Sequence, residues 1–319
     1  EMYPSVAVFP NGRFVMAYIV TNEYTVNLGD VAARMFDENH VGDGSEFRVC
    51  TSSVDSPIRS PSIPKVAVLP FEGFVTTWWN SVLNTVLIRR FAAGGVPLDD
   101  AEVKVATLPS DRVITPSPAV ASWSDGRFVI VYNGLDLGVQ ATVFSADGQS
   151  GPTIPISVSQ TNVDAPQVSV IGDGFVVAWT SATGVFMRRF LANGTPVDVG
   201  DVQVNADTIG IKLVPMLSTF ADNRIVVAWK SRSTDPSHAG IFARVYGTNG
   251  LPTTANDIAL STEPYPTYLV SSDSIARYDI FTVAMSTFSG TDGDGIALAW
   301  SGYSDGFVTY RIYASRYQL

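Results

Sequence analysis

Residues 164–205 read DAPQVSVIGDGFVVAWTSATGVFMRRFLANGTPVDVGDVQVN, and the rest of the chain repeats that stretch with variations. Residues 167–171 (QVSVI) are rich in β-branched side chains, as strands prefer. Asp173-Gly174 follows, a pair suited to the positive-φ positions of a tight hairpin. Residues 175–179 (FVVAW) are almost wholly apolar, the mark of a strand buried on both faces. Residues 180–184 form a small polar loop, and 185–190 (VFMRRF) return as a third strand. Asn193-Gly194-Thr195-Pro196 makes another turn, and 201–205 (DVQVN) alternates polar and apolar as an outer strand would. The unit is a four-stranded antiparallel meander of about 42 residues, inside the length range of a propeller blade.

Six such units occupy residues 3–50, 62–106, 116–158, 164–205, 211–260 and 278–319 of a single domain. The aromatic that closes each second strand is Tyr18, Trp78, Tyr132, Trp179, Trp229 or Trp300 in turn. Their spacing is uneven, as insertions into the loops of a common unit would make it. Such sheets cannot bury both faces alone, and radial stacking around an axis solves the problem. The expectation is an all-β, six-bladed β-propeller of four-stranded antiparallel blades. An open stack, or a seven-bladed ring with residues 261–278 supplying extra strands, is the alternative.

Five outer strands are legible; the sixth is absent. The first unit starts directly on its first strand, and the chain stops just after the third strand of unit six. That strand is either missing or improvised from residues 314–319 folding back. An unpaired edge invites another strand, so a partner chain, a copy of this chain or a larger parent polypeptide is expected to complete the blade.

Composition narrows the function. Hydrophobic residues make up 46% of the 319 and charged ones 16%, so a large core is within reach. The net charge of −10 excludes nucleic acid and anionic membrane surfaces as partners, since both need a basic face. No apolar run reaches the ~18 residues of a membrane span. Cys50, the one cysteine, excludes an intrachain disulfide and reads as an inert buried thiol. The chain opens at Glu1 without a leader, as a mature, processed or excised polypeptide would. Scarce lysine and abundant serine and threonine point to an extracellular or cell-surface setting.

Candidate sites are few. An arginine recurs two residues before the aromatic ending the third strand: Arg34, Arg89, Arg188, Arg244 and Arg311, with Thr142 the exception. These are expected to be structural, stacked between blades on a facing Trp or Tyr with backbone carbonyls satisfying the guanidinium. The competing role is a cationic ring for an anionic sugar. Asp292 and Asp294, in a Gly-rich turn, are the weak candidates for calcium, and no other cofactor is expected. His40 and His238 lack metal-ligand spacing. No nucleophile elbow, P-loop or dinucleotide fingerprint occurs, and no sialidase-type Asp box. The irregular loops carry Tyr24, Tyr265, Tyr268 and His238, suited to sugars or partner proteins. Asn193-Gly194-Thr195 is a glycosylation sequon in a turn.

The strings DGFVVAW, GVFMRRFLANGTPV and DVQVN resemble tandem repeats of large secreted and surface proteins, chiefly bacterial. Their unit reads roughly Asp-Gly-Gly-Phe-Val-Val-Ala-Trp, then Ala-Gln-Arg-Phe-Asp-Ala-Asn-Gly, then an outer strand ending Val-Asn. The resemblance spans nearly the whole chain, best in units two, four and five. It implies a propeller with an adhesive, binding or scaffolding role and carries over no catalytic residue. The expected function is therefore a non-catalytic surface module for adhesion, for carbohydrate or protein binding, or for assembly into a filament or appendage. A propeller glycoside hydrolase or lyase, with paired carboxylates at the central axis, is the alternative.

Overall fold

The computed structural model describes residues 2–21, 28–51, 58–59, 63–108, 116–134, 138–159, 162–233, 235–261, 283–290, 293–304 and 309–318. They form six antiparallel sheets, each a meander in chain order, arranged as a six-bladed β-propeller. Blade one holds β1 (Met2–Val8), β2 (Phe14–Thr21), β3 (Leu28–Phe36) and β4 (Gly42–Arg48), with β5 (Ile58–Arg59) beside the start of β3. Blade two is β6 (Lys65–Val68), β7 (Phe74–Asn80), β8 (Thr85–Phe91) and β9 (Val103–Thr107). Blade three is β10 (Ala119–Ser122), β11 (Phe128–Gly134), β12 (Gly138–Phe144) and β13 (Ser150–Pro155). Blade four, the template unit, is β14 (Asp164–Ile171), β15 (Gly174–Ser181), β16 (Gly184–Leu191) and β17 (Val202–Gln203). Blade five is β18 (Ile211–Thr219), β19 (Ile225–Arg232), β20 (Gly240–Tyr246) and β21 (Ile258–Ala259). Blade six has three strands among the described residues: β22 (Val283–Gly290), β23 (Gly293–Ser304) and β24 (Thr309–Gln318).

First strands of consecutive blades lie side by side, which makes them the inner strands of the ring. Hydroxyls tie them together: Ser122 Oγ donates to Val68 O, Thr219 Oγ1 to Val170 O and Thr287 Oγ1 to Thr219 O. The core lies between blades. One cluster joins Val15 and Met35 of blade one to Trp78 and Phe91 of blade two, and another joins Trp123 of blade three to Trp179 and Phe190 of blade four. In blades two to five the second strand thus buries both faces, which explains its nearly unbroken apolar run. A phenylalanine pair stacks across the hairpin of second and third strands in four blades. The pairs are Phe14–Phe36, Phe74–Phe91, Phe128–Phe144 and Phe175–Phe190, with ring centroids 4.7, 4.8, 4.8 and 5.2 Å apart. Each contributes about 0.5–1.5 kcal/mol beyond its buried area and sets the register.

That register corrects two expectations in blade six. In blades one, two, four and five the recurrent arginine pairs with the residue two before the closing aromatic, as Arg188 does with Val177. In blade six the residue two before Trp300 is Leu298, and it pairs with Ser315. Arg311 pairs with Gly302 and lies outside the series. The third strand is longer than its apolar pattern suggests, so its equivalent positions come later. For the same reason residues 314–318 do not fold back; they continue β24 opposite β23. The connection at 262–282 lies outside the described residues.

Candidate binding site

Arginines join neighbouring blades in both directions. Arg89 Nη1 donates to Val49 O of blade one at 2.8 Å. Arg188 Nη1 reaches Ile156 O of blade three at 2.9 Å, and Arg244 Nη1 reaches Val204 O of blade four at 2.9 Å. Arg89 and Arg188 lie over the phenylalanine two residues on in their own strand, 5.4 and 5.3 Å from the centroids of Phe91 and Phe190. The stacking partner is therefore in the same strand, where Trp or Tyr of a facing blade was expected. Period 2 brings the two side chains to one face.

The next residue along the strand points to the following blade. Arg90 is clamped by Asp99 (Nη2–Oδ1 2.7 Å) and donates through Nη1 to Ala146 O in the third-to-fourth-strand turn of blade three. Arg189 is clamped by Asp198 (2.7 Å) and donates to Thr248 O in the same turn of blade five. Both guanidiniums cover the positive-φ glycine of that turn. A Cβ on Gly148 would fall 2.2 Å from Arg90 Cζ, and one on Gly250 would fall 2.2 Å from Arg189 Cζ.

Blade three breaks this pattern, because Thr142-Val143 stand where Arg-Arg stands in blades two and four. Val143 cannot cross to blade four, and Ile154 approaches Gly194 in its place. Met35 of blade one and Val245 of blade five hold the equivalent position but are buried in the core, whereas Val143 is half-buried. An open cleft of about 640 Å³ results between blades three and four. Its floor includes Val143, Ile154 and Leu191, and its rim carries Arg127, Gln149 and Asn193. Arg127 is held over Trp123, 5.1 Å from the ring centroid, and bridges Asp125 of its own turn (2.7 Å) to Asp173 of blade four (2.5 Å).

Of the residues singled out in the sequence, Asn193 lies on this rim, exposed, its Oδ1 accepting from Thr195 N at 3.0 Å. Arg34 is exposed, its guanidinium 5.6 Å from the Phe36 centroid. Asp294 is bound to Arg224, which also holds Asp222 at 2.7 Å, the same bridge that Arg127 makes two junctions earlier. Among the described residues no three His, Cys, Asp or Glu side chains gather as a metal site would require. Tyr24, Tyr265, Tyr268 and Asp292 lie outside the described residues.

His238 belongs to a second cluster, on the opposite face of the ring. Its Nδ1 meets Asp207 Oδ2 at 2.8 Å. Asp207 also faces Lys212 Nζ at 3.3 Å, and that amine donates to Ile209 O at 2.6 Å and Ser231 Oγ at 2.9 Å. Ser231 Oγ in turn donates to His238 O at 2.6 Å. Lys212 is 2% exposed and Ser231 1%, so the cluster is a closed knot that ties the 204–210 connection to the loop after β19. Burial pushes the Asp207 carboxyl up, but hydrogen bonds from Ile209 N, His238 and Lys212 together outweigh it and hold it below the usual carboxylate range. No periodic signal could have found Asp207, Lys212 or Ser231, because they meet through a connection and a loop. Val143 was legible, since the lapse of the arginine at Thr142 marks the same spot.

Asp164 is exposed at the start of inner strand β14, yet the protein mass around it desolvates the carboxyl and raises it despite a hydrogen bond from Ala165 N. A raised folded-state value means that ionisation costs stability, so stability falls as pH rises through the titration. Asp164→Asn is therefore expected to raise the Tm at pH 7, with the gain vanishing near pH 3, where both side chains are neutral. Thermal melts across that range check it; an equal gain at pH 3 would assign the effect to packing.

No family model matches the chain, and no curated protein matches it either. Solved structures of similar shape exist. A protein of unknown function from Dyadobacter fermentans superposes with TM-score 0.60 at 14% identity, covering 98% of this chain and 93% of that one. An α-L-arabinofuranosidase from Fusarium graminearum gives 0.59 at 12% identity, covering 99% and 92%. The fucose-specific lectin of Aleuria aurantia gives 0.51 at 11% identity, covering 98% and 95%. At these identities the likeness establishes the propeller fold alone.

Proposed function

We propose that the chain is a non-catalytic binding module of an extracellular or surface protein, and that the cleft between blades three and four takes a short carbohydrate segment. The observation that carries this reading is the loss of the interblade arginine at Val143, which opens the ring's side at one junction. Binding sites arise where a repeat departs from its own symmetry. Donors and acceptors on Arg127, Gln149 and Asn193 around an aliphatic floor suit a sugar, which presents hydroxyls at its edge and C–H groups on its face. The lectin and the arabinofuranosidase show that rings of this shape are used by proteins whose names refer to sugars. Several acids are engaged by arginines at blade junctions, as Glu72 is by Arg13, Asp173 by Arg127 and Asp294 by Arg224. That use supports a rigid scaffold over a hydrolytic centre.

The test is a glycan array probed with the wild-type chain and with Val143→Arg, which restores the arginine found in blades two and four. Binding by the wild type and at least a tenfold loss in the variant are expected. Silence across the array, or binding that ignores the variant, overturns the reading. A glycan attached at Asn193 would lie over the same rim, so the array is run with both glycosylated and unglycosylated protein.

A further inference from the structure

One hairpin turn departs from its repeat in a way that costs the isolated chain stability. Residues 71–74 read Phe-Glu-Gly-Phe, where blade four has Gly172-Asp173-Gly174-Phe175 and blade six Gly293-Asp294-Gly295-Ile296. The three turns are equivalent by their contacts: Glu72, Asp173 and Asp294 are held by Arg13, Arg127 and Arg224 of the preceding blade. Glycine carries the left-handed backbone in blades four and six, with φ of +53° at Gly172 and +111° at Gly293. In blade two Phe71 carries it at +58°, and Glu72 follows at +57°. A Cβ strains that conformation, most of all beneath a bulky side chain. Glu72 is compensated, since its carboxylate accepts from Asn11 Nδ2 at 2.9 Å and from Arg13. Phe71 is not: it is 95% exposed, so a large apolar side chain is strained and wet at once.

Whatever offsets that cost must cover the whole ring. A sugar stacked on Phe71 would cover one face and leave the other in water, whereas a pocket covers both faces and the edge. The chain carries such a pocket on the same face of the propeller. The cleft between blades three and four opens among turns that join first to second strands, where Asp173 stands, and third to fourth, where Gln149 and Asn193 stand. In a meander those turns share the end of the blade that Phe71 occupies. The aliphatic floor of Val143, Ile154 and Leu191 and the volume of about 640 Å³ leave ample room for a phenyl group. Within one chain the turn of blade three stands between ring and cleft. A Cβ on Gly126 would lie 3.6 Å from Pro70 Cδ, and Arg127 beside it is on the cleft's rim.

We infer that this face pairs two copies of the chain about a two-fold axis, Phe71 of each entering the cleft between blades three and four of the other. Because knob and cleft lie on one face, a single rotation makes both contacts, and the interface closes on itself with neither left unmatched. Each ring that leaves water regains the apolar burial its turn forgoes. Every copy carries a net charge of −10, so long-range repulsion opposes the association and salt strengthens it. The pairing uses the cleft of the proposed function but no sugar in it, so a silent glycan array leaves it standing. A sugar that fills the cleft displaces the ring.

Sedimentation velocity on the whole chain, from about 1 to 200 µM, tests it. The wild type is expected to pass from monomer to dimer over that range, and at lower concentration in higher salt. Phe71→Gly installs the residue of blades four and six, and Val143→Arg fills the floor of the cleft. Each should weaken the dimer at least about tenfold. Phe71→Gly should melt no lower than the wild type at the dilute end, so its lost association is not a lost fold. An equimolar mixture of the two variants should associate more than either alone, because the cleft of the first still accepts Phe71 of the second. A wild type that stays monomeric throughout, a dimer indifferent to either variant, or a mixture no better than its parts overturns the inference. Particles that keep growing beyond the dimer overturn the two-fold arrangement. Glycan binding by a monomeric wild type that is lost in Phe71→Gly overturns it in favour of a sugar on the ring.

Discussion

Asp207→Ala is expected to lower the unfolding free energy by about 3–5 kcal/mol, the range for a buried charge stripped of its partner. The Lys212 side chain is 2% exposed, and among the described residues its amine has Asp207 as its one anionic partner; Ile209 O and Ser231 Oγ are neutral acceptors. Removing the carboxylate leaves a nearly buried ammonium without its anionic partner. Lys212→Met should cost less, roughly 1–3 kcal/mol, because Asp207 keeps the His238 ring and the Ile209 N–H, and its side chain is 25% exposed. The double variant should then be more stable than Asp207→Ala alone, a sign that simple addition of two losses cannot produce. Urea titrations of the four proteins measure it; a double variant as unstable as the sum would show the two groups to be uncoupled. The pH dependence has a definite sign. A carboxyl held below its usual range contributes stability above that range and loses it as pH falls through the folded value. The wild type should therefore lose its advantage over Asp207→Ala on acidification.

Arg188→Met should cost about 2–4 kcal/mol. The residue is 5% exposed, and its guanidinium donates to Ile156 O at 2.9 Å and to Asp198 O at 3.2 Å, carbonyls on two different blades. Methionine can fill the volume and keep the contact with Phe190, yet both carbonyls would lose their donor in a dry junction. Arg188→Lys should recover little, since one ammonium cannot address two carbonyls set by a planar fork. Arg89→Met should behave alike, and Arg34→Met should cost almost nothing in the isolated chain. Chemical denaturation of the three arginine variants tests that order. Equal losses at all three positions would mean that Arg34 already has a carbonyl partner.

The arginine series shows where reading a chain as a string succeeds and where it stops. Recurrence alone marks Arg89, Arg188 and Arg244 as structural, because a regular spacing of one residue type reflects the repeat itself; Arg34 fits the same spacing yet is exposed and has no carbonyl acceptor among the described residues. Which carbonyl each guanidinium meets lay beyond that, since Val49 and Ile156 are separated from their arginines by a blade connection and the first two strands of the next blade. Arg311 looked like a member by local pattern, and only pairing with β23 moved the position to Ser315. His238 reads as a loop histidine, but the carboxylate that meets its Nδ1, Asp207, comes from a different connection.

The amino-acid sequence by itself determined the six units, the alternation of each blade and the glycine turns, all of which rest on contacts within a few residues or one hairpin. The tertiary structure alone decided which junction is left open, which charges are shut away with Lys212, and that Arg34 has no carbonyl acceptor among the described residues. Those depend on where the side chains of one blade land on the next. That placement is fixed by packing across the ring, which no local pattern encodes.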